Sequence, residues 1–413
     1  MSGRAVRKAY LVASVAGVAF FVLSVGLLGV WPKQVIDAQT AAMSPEHPLG
    51  MSESALRGRA IYGREGCAYC HTQQIRYLHT DMTRFGAPTL AWETRFDYPH
   101  LWGTRRIGPD LSRAAGTRSA DWHFAHLFAP RTVVSKSVMP AYPALFDAAA
   151  DRPRQEARDL VAYLETLGRA REIAGPEGEA HARAACDCAD DEMAQMAFDG
   201  PINAHPGRTR RDGDIPEAVG RNISSAAVSA DLARGQQLFA DHCASCHGPT
   251  GAGDGPGAAA LRPRPGNLAE HEFSDARLAQ VLWNGVPGTA MPAWRDHRPA
   301  DLGALAAVVK GFAAAREEPA LPADLVELGA RVYASNCAQC HGDEGDGQGT
   351  AAAELPMAPT NFRLQRPSLD YSLRALRNGV DGTPMAPWTS RLGAAEILAV
   401  AHHVRGFYDG GSR

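Results

Sequence analysis

Three pentapeptides of the form Cys-x-x-Cys-His lie along this chain of 413 residues. This spacing is the attachment signature of haem c, because two thiols add to the porphyrin vinyl groups and the adjacent imidazole ligates the iron. The candidate residues are Cys67, Cys70 and His71, then Cys243, Cys246 and His247, then Cys337, Cys340 and His341. A single copy would also fit a redox or zinc motif, but three copies predict three covalently attached haem c groups.

A methionine in a proline-containing loop follows each motif: Met139 in SVMPAYP, Met291 in GTAMPAW and Met385 in GTPMAPW. A thioether opposite an imidazole is a typical sixth ligand of electron-transfer haem, so we predict these three as axial ligands. Met357 is a rival for the third haem, although its counterpart in the second segment is a proline. Ligation by a second histidine is the alternative, and the candidates are His123, His126 and His297.

Cysteine usage and charge narrow the class of protein. Only Cys186 and Cys188 lie outside the three motifs, so the chain has no disulfide framework. A labile disulfide, two free thiols and part of a metal site with His181 stay open for this pair. The net charge of −3 is too small to indicate a nucleic-acid partner.

The N-terminus carries one apolar segment. Residues 9–31 contain no charge, and about 20 apolar residues span a bilayer as a helix. Arg4, Arg7 and Lys8 precede the segment, which predicts a cytoplasmic N-terminus by the positive-inside rule. The apolar core is too long for a typical cleaved signal. We therefore predict a single-pass anchor over residues 1–35 in a bacterial inner membrane, with the haem domains in the periplasm.

The last two haem segments are a duplication with a spacing of 94 residues. The equivalent pairs are Cys243 and Cys337, His247 and His341, Met291 and Met385, and Trp294 and Trp388. In each copy an amphipathic stretch precedes the motif and another follows the Met loop. We predict a mainly α protein: one transmembrane helix, then haem domains over 53–173, 230–316 and 320–411, with a linker over 174–229. The first domain has 68 residues from His71 to Met139, against 44 in the others, which predicts a contact surface of its own.

The order of these elements resembles class I cytochrome c. The resemblance implies that a proline carbonyl after each motif accepts a hydrogen bond from the proximal histidine, and the candidates are Pro109, Pro265 and Pro359. Arg105 and Arg106 are candidates for pairing with haem propionates, with solvated surface arginines as the alternative.

Residues 58–143 resemble the membrane-anchored mono-haem subunit II of cbb3-type cytochrome c oxidases. The matching strings are GRAIYGREGCAYCHTQQIR, DYPHLWGTRRIGPDL, SADWHFAHLFAPRTVV and SVMPAYP. After Gly168 the chain departs from that pattern and is similar to the di-haem part of subunit III without its membrane helix. The resemblance implies a non-catalytic subunit that passes electrons to a separate multi-span haem–copper oxidase subunit. A soluble cytochrome c or a quinol-oxidising complex would be the electron donor.

Two other functions stay open at this point. Three haem domains also fit the cytochrome subunit of a periplasmic alcohol or sugar-acid dehydrogenase, which a mature N-terminus after residue 35 would favour. A free-standing, membrane-tethered electron shuttle is the third candidate, and the size of the solubilised protein discriminates it.

Overall fold

The computed structural model describes residues 3–43, 51–78, 80–81, 85, 88–94, 96–97, 100–170, 215–229, 231–295, 297–313 and 321–408. These residues are mainly helical, which confirms the predicted fold class, and the strands among them are two of three residues each. Cys186, Cys188, His181 and the short helix predicted near 190–196 lie outside the described residues.

The α-helices are α1 Gly3–Val25, α2 Trp31–Met43, α3 Glu53–Arg64, α4 Ala120–Phe128, α5 Pro130–Val133, α6 Gln155–Leu164, α7 Glu217–Ser229, α8 Leu232–His242, α9 Ala244–His247, α10 Asp275–Asn284, α11 Pro299–Phe312, α12 Ala323–Asn336, α13 Ala338–His341, α14 Leu369–Asn378 and α15 Ala394–Arg405. A π-helical turn, Gly26–Val30, joins α1 to α2. Short 3-10 helices cover Cys67–Tyr69, Ala91–Thr94, Pro143–Leu145, Ala258–Ala260, Leu268–Glu270 and Ala352–Glu354. The strands are β1 His271–Phe273 and β2 Gln365–Pro367.

The chain divides into two compact units. The first contains Met1–Glu53, Tyr62–Arg113 and Thr166–Gly200, and the second contains Ser54–Ile61, Ala114–Glu165 and Pro201–Arg413. The first predicted haem domain therefore contributes residues to both units, whereas the second and third lie together in the second unit. The helical stretch Gly3–Ala38 in the first unit is long and apolar enough to cross a membrane.

In the second unit, the helix before each haem motif crosses the helix after each Met loop at a glycine. A Cβ on Gly235 of α8 would collide with the carbonyl of Ala304 in α11, and Gly329 of α12 stands in the same relation to Ala399 of α15. Only glycine allows two helix backbones to approach this closely. Aromatic rings close each crossing, with centroids 5.1 Å apart for Phe239 and Phe312 and 5.0 Å apart for Tyr333 and Phe407.

Helix α3 crosses α6 in a similar way within the second unit. A Cβ on Gly58 would collide with the backbone carbonyl of Asp159. The Nε of Arg57 donates to the Asp159 carboxylate at 2.7 Å, and the Ser54 hydroxyl donates to it at 2.6 Å. The same Arg-Gly pair recurs in α8, where Arg234 donates to Asp301 of α11 at 3.0 Å.

The segment predicted as linker contains a helix that belongs to a core. Val219 and Ile223 of α7 are fully buried with Leu302 and Leu305 of α11. A Cβ on Gly303 would meet the carbonyl of Asn222 at 2.7 Å, so the two helices pack closely. Helix α7 therefore packs into the core of the second domain, because two apolar residues four apart form a buried helical face.

Candidate haem sites

Each candidate attachment segment is a single tight turn. In the last two copies, the first cysteine ends α8 or α12, and the short helices α9 and α13 carry the segment to the histidine. The backbone N–H of each histidine donates to the carbonyl of the first cysteine, at 3.0 Å for His71 and 2.9 Å for His247 and His341. Both thiols and the imidazole therefore project from one rigid turn, as a rigid macrocycle requires.

The imidazole of each candidate proximal histidine is held by one backbone carbonyl. The Nδ1 atoms of His71, His247 and His341 donate to Pro109 at 2.8 Å, Gly266 at 3.2 Å and Thr360 at 3.1 Å. A carbonyl only accepts, so Nδ1 carries the proton and Nε2 keeps its lone pair for a metal. Burial lowers the pKa of all three histidines, which favours the neutral form that ligates iron.

The acceptor differs from the prediction in two of the three copies. Pro109 accepts as predicted, but the residue after the proline accepts in the other two. The carbonyls of Pro265 and Pro359 instead face Gly253 and Gly347, where a Cβ would collide with them. The proline therefore sets the turn, and the next residue supplies the acceptor.

The first cysteine of each motif is not an activated thiol. Burial raises the pKa of Cys67 and Cys243 to about 12 and that of Cys337 to about 11. A dithiol redox centre needs a lowered thiol pKa, so these motifs do not resemble one. Among the described residues no group of three or more His, Cys, Asp or Glu side chains could hold a metal ion.

The three predicted ligand methionines lie in loops that share one hydrogen bond. In each copy the backbone N–H of the methionine donates to the side-chain hydroxyl of the residue two positions earlier. The acceptors are Ser137 at 3.2 Å, Thr289 at 3.1 Å and Thr383 at 3.1 Å. Sequence reasoning missed these hydroxyls, although a Ser or Thr two residues before each methionine was visible in the sequence.

The last two Met loops also close in the same way onto the end of a helix. Val286 and Val380 donate to the carbonyls of Met291 and Met385, at 3.1 Å and 2.9 Å. This shared closure supports the equivalence that the spacing of 94 predicts. Met139 lies in the second unit, whereas His71 lies in the first.

The third domain contains a cavity of about 390 Å³ that brings its predicted residues together. Cys337, Cys340, His341 and Met385 all line it, and so does the rival Met357. A Cβ on Gly288 of the second domain would meet the Met357 side chain at 2.8 Å, so Met357 also packs at the contact between the two domains.

Two indole N–H groups, buried on otherwise half-buried tryptophans, fit a ligand that carries oxygen acceptors. Within the described residues the Nε1 atoms of Trp294 and Trp388 have no hydrogen-bond partner. The two residues are 94 apart, and Trp388 lines the cavity of the third domain. Buried N–H groups are rarely left unsatisfied, and haem c carries two propionate groups that would accept from them. The residues present therefore fit haem c.

The predicted arginine pair of the first domain separates into two roles. Arg105 is exposed, whereas Arg106 is mostly buried and pairs with Asp81 at 2.7 Å and Asp110 at 3.2 Å. Burial raises the pKa of Asp81, but hydrogen bonds from Arg76 and Arg106 outweigh it and lower the value to about 2. Arg106 is thus part of an internal ion-pair network, which neither sequence interpretation anticipated.

The alternative histidine ligands have other neighbours. His123 is buried, its Nε2 lies 3.8 Å from a Glu165 carboxylate oxygen, and burial lowers its pKa to about 3. The His126 ring stacks on Trp122 with centroids 4.7 Å apart. The His297 ring packs edge-on against Trp294 at 5.4 Å. The partners of these three rings are therefore other protein side chains, from the same element or from a neighbouring one.

These repeated attachment turns, held imidazoles and Met loops are the features of a c-type cytochrome. Family comparison agrees: residues 5–195 match the model described as cytochrome c oxidase, mono-heme subunit/FixO. Residues 230–308 and 324–404 each match cytochrome c oxidase, cbb3-type, subunit III. The chain belongs to the cytochrome c subunits of the cbb3-type oxidases and joins two of them in one polypeptide. These families bind haem c covalently.

Curated relatives match part of the chain at low identity. The cbb3-type cytochrome c oxidase subunit FixP of Bradyrhizobium sp. (strain ORS 278) is 27% identical over 42% of this chain and 59% of the relative. FixPc of Rhizobium leguminosarum bv. viciae is 29% identical over 42% of this chain and 61% of the relative. FixP of Sinorhizobium medicae (strain WSM419) is 30% identical over 44% of this chain and 61% of the relative. The chain spans about three fifths of the length of these relatives.

Proposed function

We propose that this chain is a membrane-anchored cytochrome with three haem c groups that passes electrons to the multi-span catalytic subunit of a cbb3-type haem–copper oxidase. One observation carries the proposal. Each of the three matched family regions contains one attachment turn and one Met loop: 5–195, 230–308 and 324–404. Haem c supplies the one-electron chemistry when bound, and the chain supplies its attachment, its axial ligands and its position.

The residues have separate tasks in this proposal. Three cysteine pairs would attach the macrocycles, and three His–Met pairs would ligate the irons: His71 with Met139, His247 with Met291, and His341 with Met385. The proposed haem domains cover 53–173, 215–316 and 320–411. The carbonyl bonded to each Nδ1 keeps Nε2 available, and the hydroxyl bonded to each methionine N–H shapes the loop on the other side.

The proposed topology follows from the N-terminal helix. Its flanking residues Arg4, Arg7 and Lys8 favour a cytoplasmic N-terminus, which leaves the haem domains in the periplasm. Electrons would enter at the two C-terminal domains from a soluble cytochrome c or a quinol-oxidising complex. They would leave from the first domain, which is the part that matches the mono-haem subunit.

The deciding experiment purifies the chain from native membranes in mild detergent through a tag after Arg413. We expect a multi-span partner with b-type haem, oxygen consumption, and three c-type haems for each chain by pyridine haemochrome. Variants with one Cys pair replaced by Ser, such as C67S/C70S, should each lose one haem. Purification with a periplasmic dehydrogenase, or with no partner, would contradict the proposal.

A further inference from the structure

The second and third domains meet through a local two-fold. Strands β1 and β2 pair antiparallel, with His271 opposite Pro367, Glu272 opposite Arg366, and Phe273 opposite Gln365. Adding the repeat spacing of 94 to the β1 residues 271, 272 and 273 gives the β2 residues 365, 366 and 367. The antiparallel pairing reverses their order, so the local two-fold axis passes between Glu272 and Arg366.

Hydrogen bonds beside the strands obey the same symmetry. Ser274 donates its N–H to Leu364 at 2.9 Å, and Ser368 donates its N–H to Glu270 at 2.7 Å. Ser274 and Ser368 are 94 residues apart, and so are Glu270 and Leu364. Each domain therefore presents the same segment to its twin.

This symmetry lets each domain reach the haem side of the other. His271 of the second domain lines the cavity of the third, together with Tyr371, and their ring centroids are 4.5 Å apart. The twin contact is between Gln365 and Arg277, where the Arg277 Nε donates to the Gln365 amide oxygen at 3.3 Å. By the two-fold, Arg277 has the place in the second site that Tyr371 has in the third.

The two places differ in charge. Arg277 is half-buried, and withdrawal from water lowers the pKa of its guanidinium. No carboxylate among the described residues forms an ion pair with it, so the Gln365 amide is its side-chain partner there. A guanidinium removed from water is costly unless an anion accompanies it. Haem c brings two carboxylates, its propionates, to this pocket.

At the equivalent place the third site has Tyr371 instead of an arginine, although the Arg374 guanidinium lies 5.9 Å from that ring centroid and Arg391 lines another part of the cavity. Tyr371 is neutral, and the neighbouring His271 donates Nδ1–H to the Asn267 carbonyl at 3.1 Å. The arginines nearest to it along the chain are already paired, Arg374 with Glu270 at 2.6 Å and Arg366 with Glu272 at 3.6 Å. The twin sites are therefore electrostatically unequal at one position.

We propose that Arg277 pairs with a propionate of the haem in the second domain and raises the reduction potential of that haem. This inference rests on the proposed function, because it requires a haem in each domain. A fixed positive charge stabilises the ferrous state, which carries one positive charge fewer than the ferric state. Arg277 is a positioning residue here, and the planar fork of its guanidinium suits a carboxylate.

The test is a spectroelectrochemical titration of the full chain in its detergent-solubilised complex, for wild type, Arg277→Gln and Arg277→Lys. Met291→His and Met385→His variants assign the midpoints, because loss of a methionine ligand lowers the potential of that haem alone. We expect Arg277→Gln to lower the midpoint of the second haem, and Arg277→Lys to lower it less. The matched control is the twin substitution Tyr371→Phe, which should leave the second haem unchanged.

Haem content separates the two ways of failing. Pyridine haemochrome should give the wild-type haem count in every Arg277 variant. An unchanged midpoint of the second haem with full haem content would overturn this inference and leave the proposed function standing. A fall of equal size in both C-terminal haems would also overturn it, because the charge would then not be local. A wild-type chain with fewer than three c-type haems would instead refute the proposed function.

Discussion

At the scale of single residues, the histidine of each motif and the methionine of each Met loop are each positioned by one hydrogen bond that involves the backbone. A carbonyl holds Nδ1 of the histidine, and a hydroxyl two residues earlier holds the N–H of the methionine. The hydroxyl matters because a thioether is a weak ligand whose position depends on its loop. The three copies use Ser137, Thr289 and Thr383 for this contact, although the first domain is otherwise the most divergent.

Thr289→Val tests this role with little change of volume. The Met291 N–H would lose its acceptor, and loss of one such hydrogen bond costs about 1 kcal/mol. We expect the second site to bind added imidazole about fivefold more tightly, since the methionine is easier to displace. Spectral titration of the full chain measures this. Thr383→Val is the control, because its effect should be confined to the third site. If the second site bound imidazole equally well in wild type and in both variants, the Thr289 hydroxyl would not hold the Met291 loop.

Asp159 gives a prediction on acid stability. The hydrogen bond from Arg57 is the main cause that holds the pKa of this carboxyl well below its usual range, although burial opposes it. A carboxyl with a depressed folded-state pKa stabilises the fold above its unfolded pKa of about 4, and this contribution disappears as the pH falls toward the folded value. Asp159→Asn should lower the free energy of unfolding at pH 7 by about 1–3 kcal/mol. In this variant the free energy of unfolding should also fall less steeply as the pH drops below about 4. Denaturant unfolding across pH measures both, with Asp147→Asn, an exposed carboxylate, as control.

The residues that sequence could predict are those whose chemistry requires a fixed spacing. The cysteines, histidines and methionines recur at a constant offset, so their grouping in the third domain followed from the sequence. The histidine acceptors did not follow in two copies, because the direction of a carbonyl depends on backbone dihedrals. Proline constrains only its own φ, so Gly266 and Thr360 were missed.

At the scale of elements, the helix crossings depend on glycine. Ala at Gly235 would drive a methyl group into the Ala304 carbonyl, so α8 and α11 would have to separate. Overpacking of this kind costs about 1–3 kcal/mol. Gly235→Ala should therefore lower the midpoint of thermal unfolding of the second domain. Gly220→Ala is the matched control, because no atom lies within 4 Å of the added Cβ on α7; a comparable loss there would refute the steric argument.

Three elements escaped prediction for reasons of length and composition. Helix α7 lies in a polar stretch, and its two buried apolar residues are too few to outweigh the surrounding linker-like composition. The strands β1 and β2 contain three residues each, which is too short for an alternating pattern to be read. The two-fold between the C-terminal domains therefore became visible only through their pairing, although the duplication itself was plain in the sequence.

At the scale of the whole molecule, the second candidate attachment segment packs against the first domain within the second unit. Ser245 stands between Cys243 and Cys246 and is buried, and its hydroxyl donates to the Val133 carbonyl at 3.0 Å. Lys136 pairs with Asp241 at 2.7 Å beside it. With the two-fold on its other side, the second domain contacts both of the others. In the proposed function it is the middle carrier.

Replacing Ser245 by the residue at the equivalent position of the third domain tests whether the second domain is the middle carrier. Gln339 is the counterpart of Ser245 in the third domain, where it is exposed, so the attachment turn itself tolerates Gln. Ser245→Gln should keep all three haems and their potentials, because the turn is unchanged, but the longer side chain must push the Val133 segment away. We expect slower electron transfer between the second and first haems after rapid photoreduction of the full complex. Gln339→Ser should leave that rate unchanged. Wild-type kinetics in Ser245→Gln would mean that electrons do not cross at this contact, and the second domain would lose its place as the middle carrier.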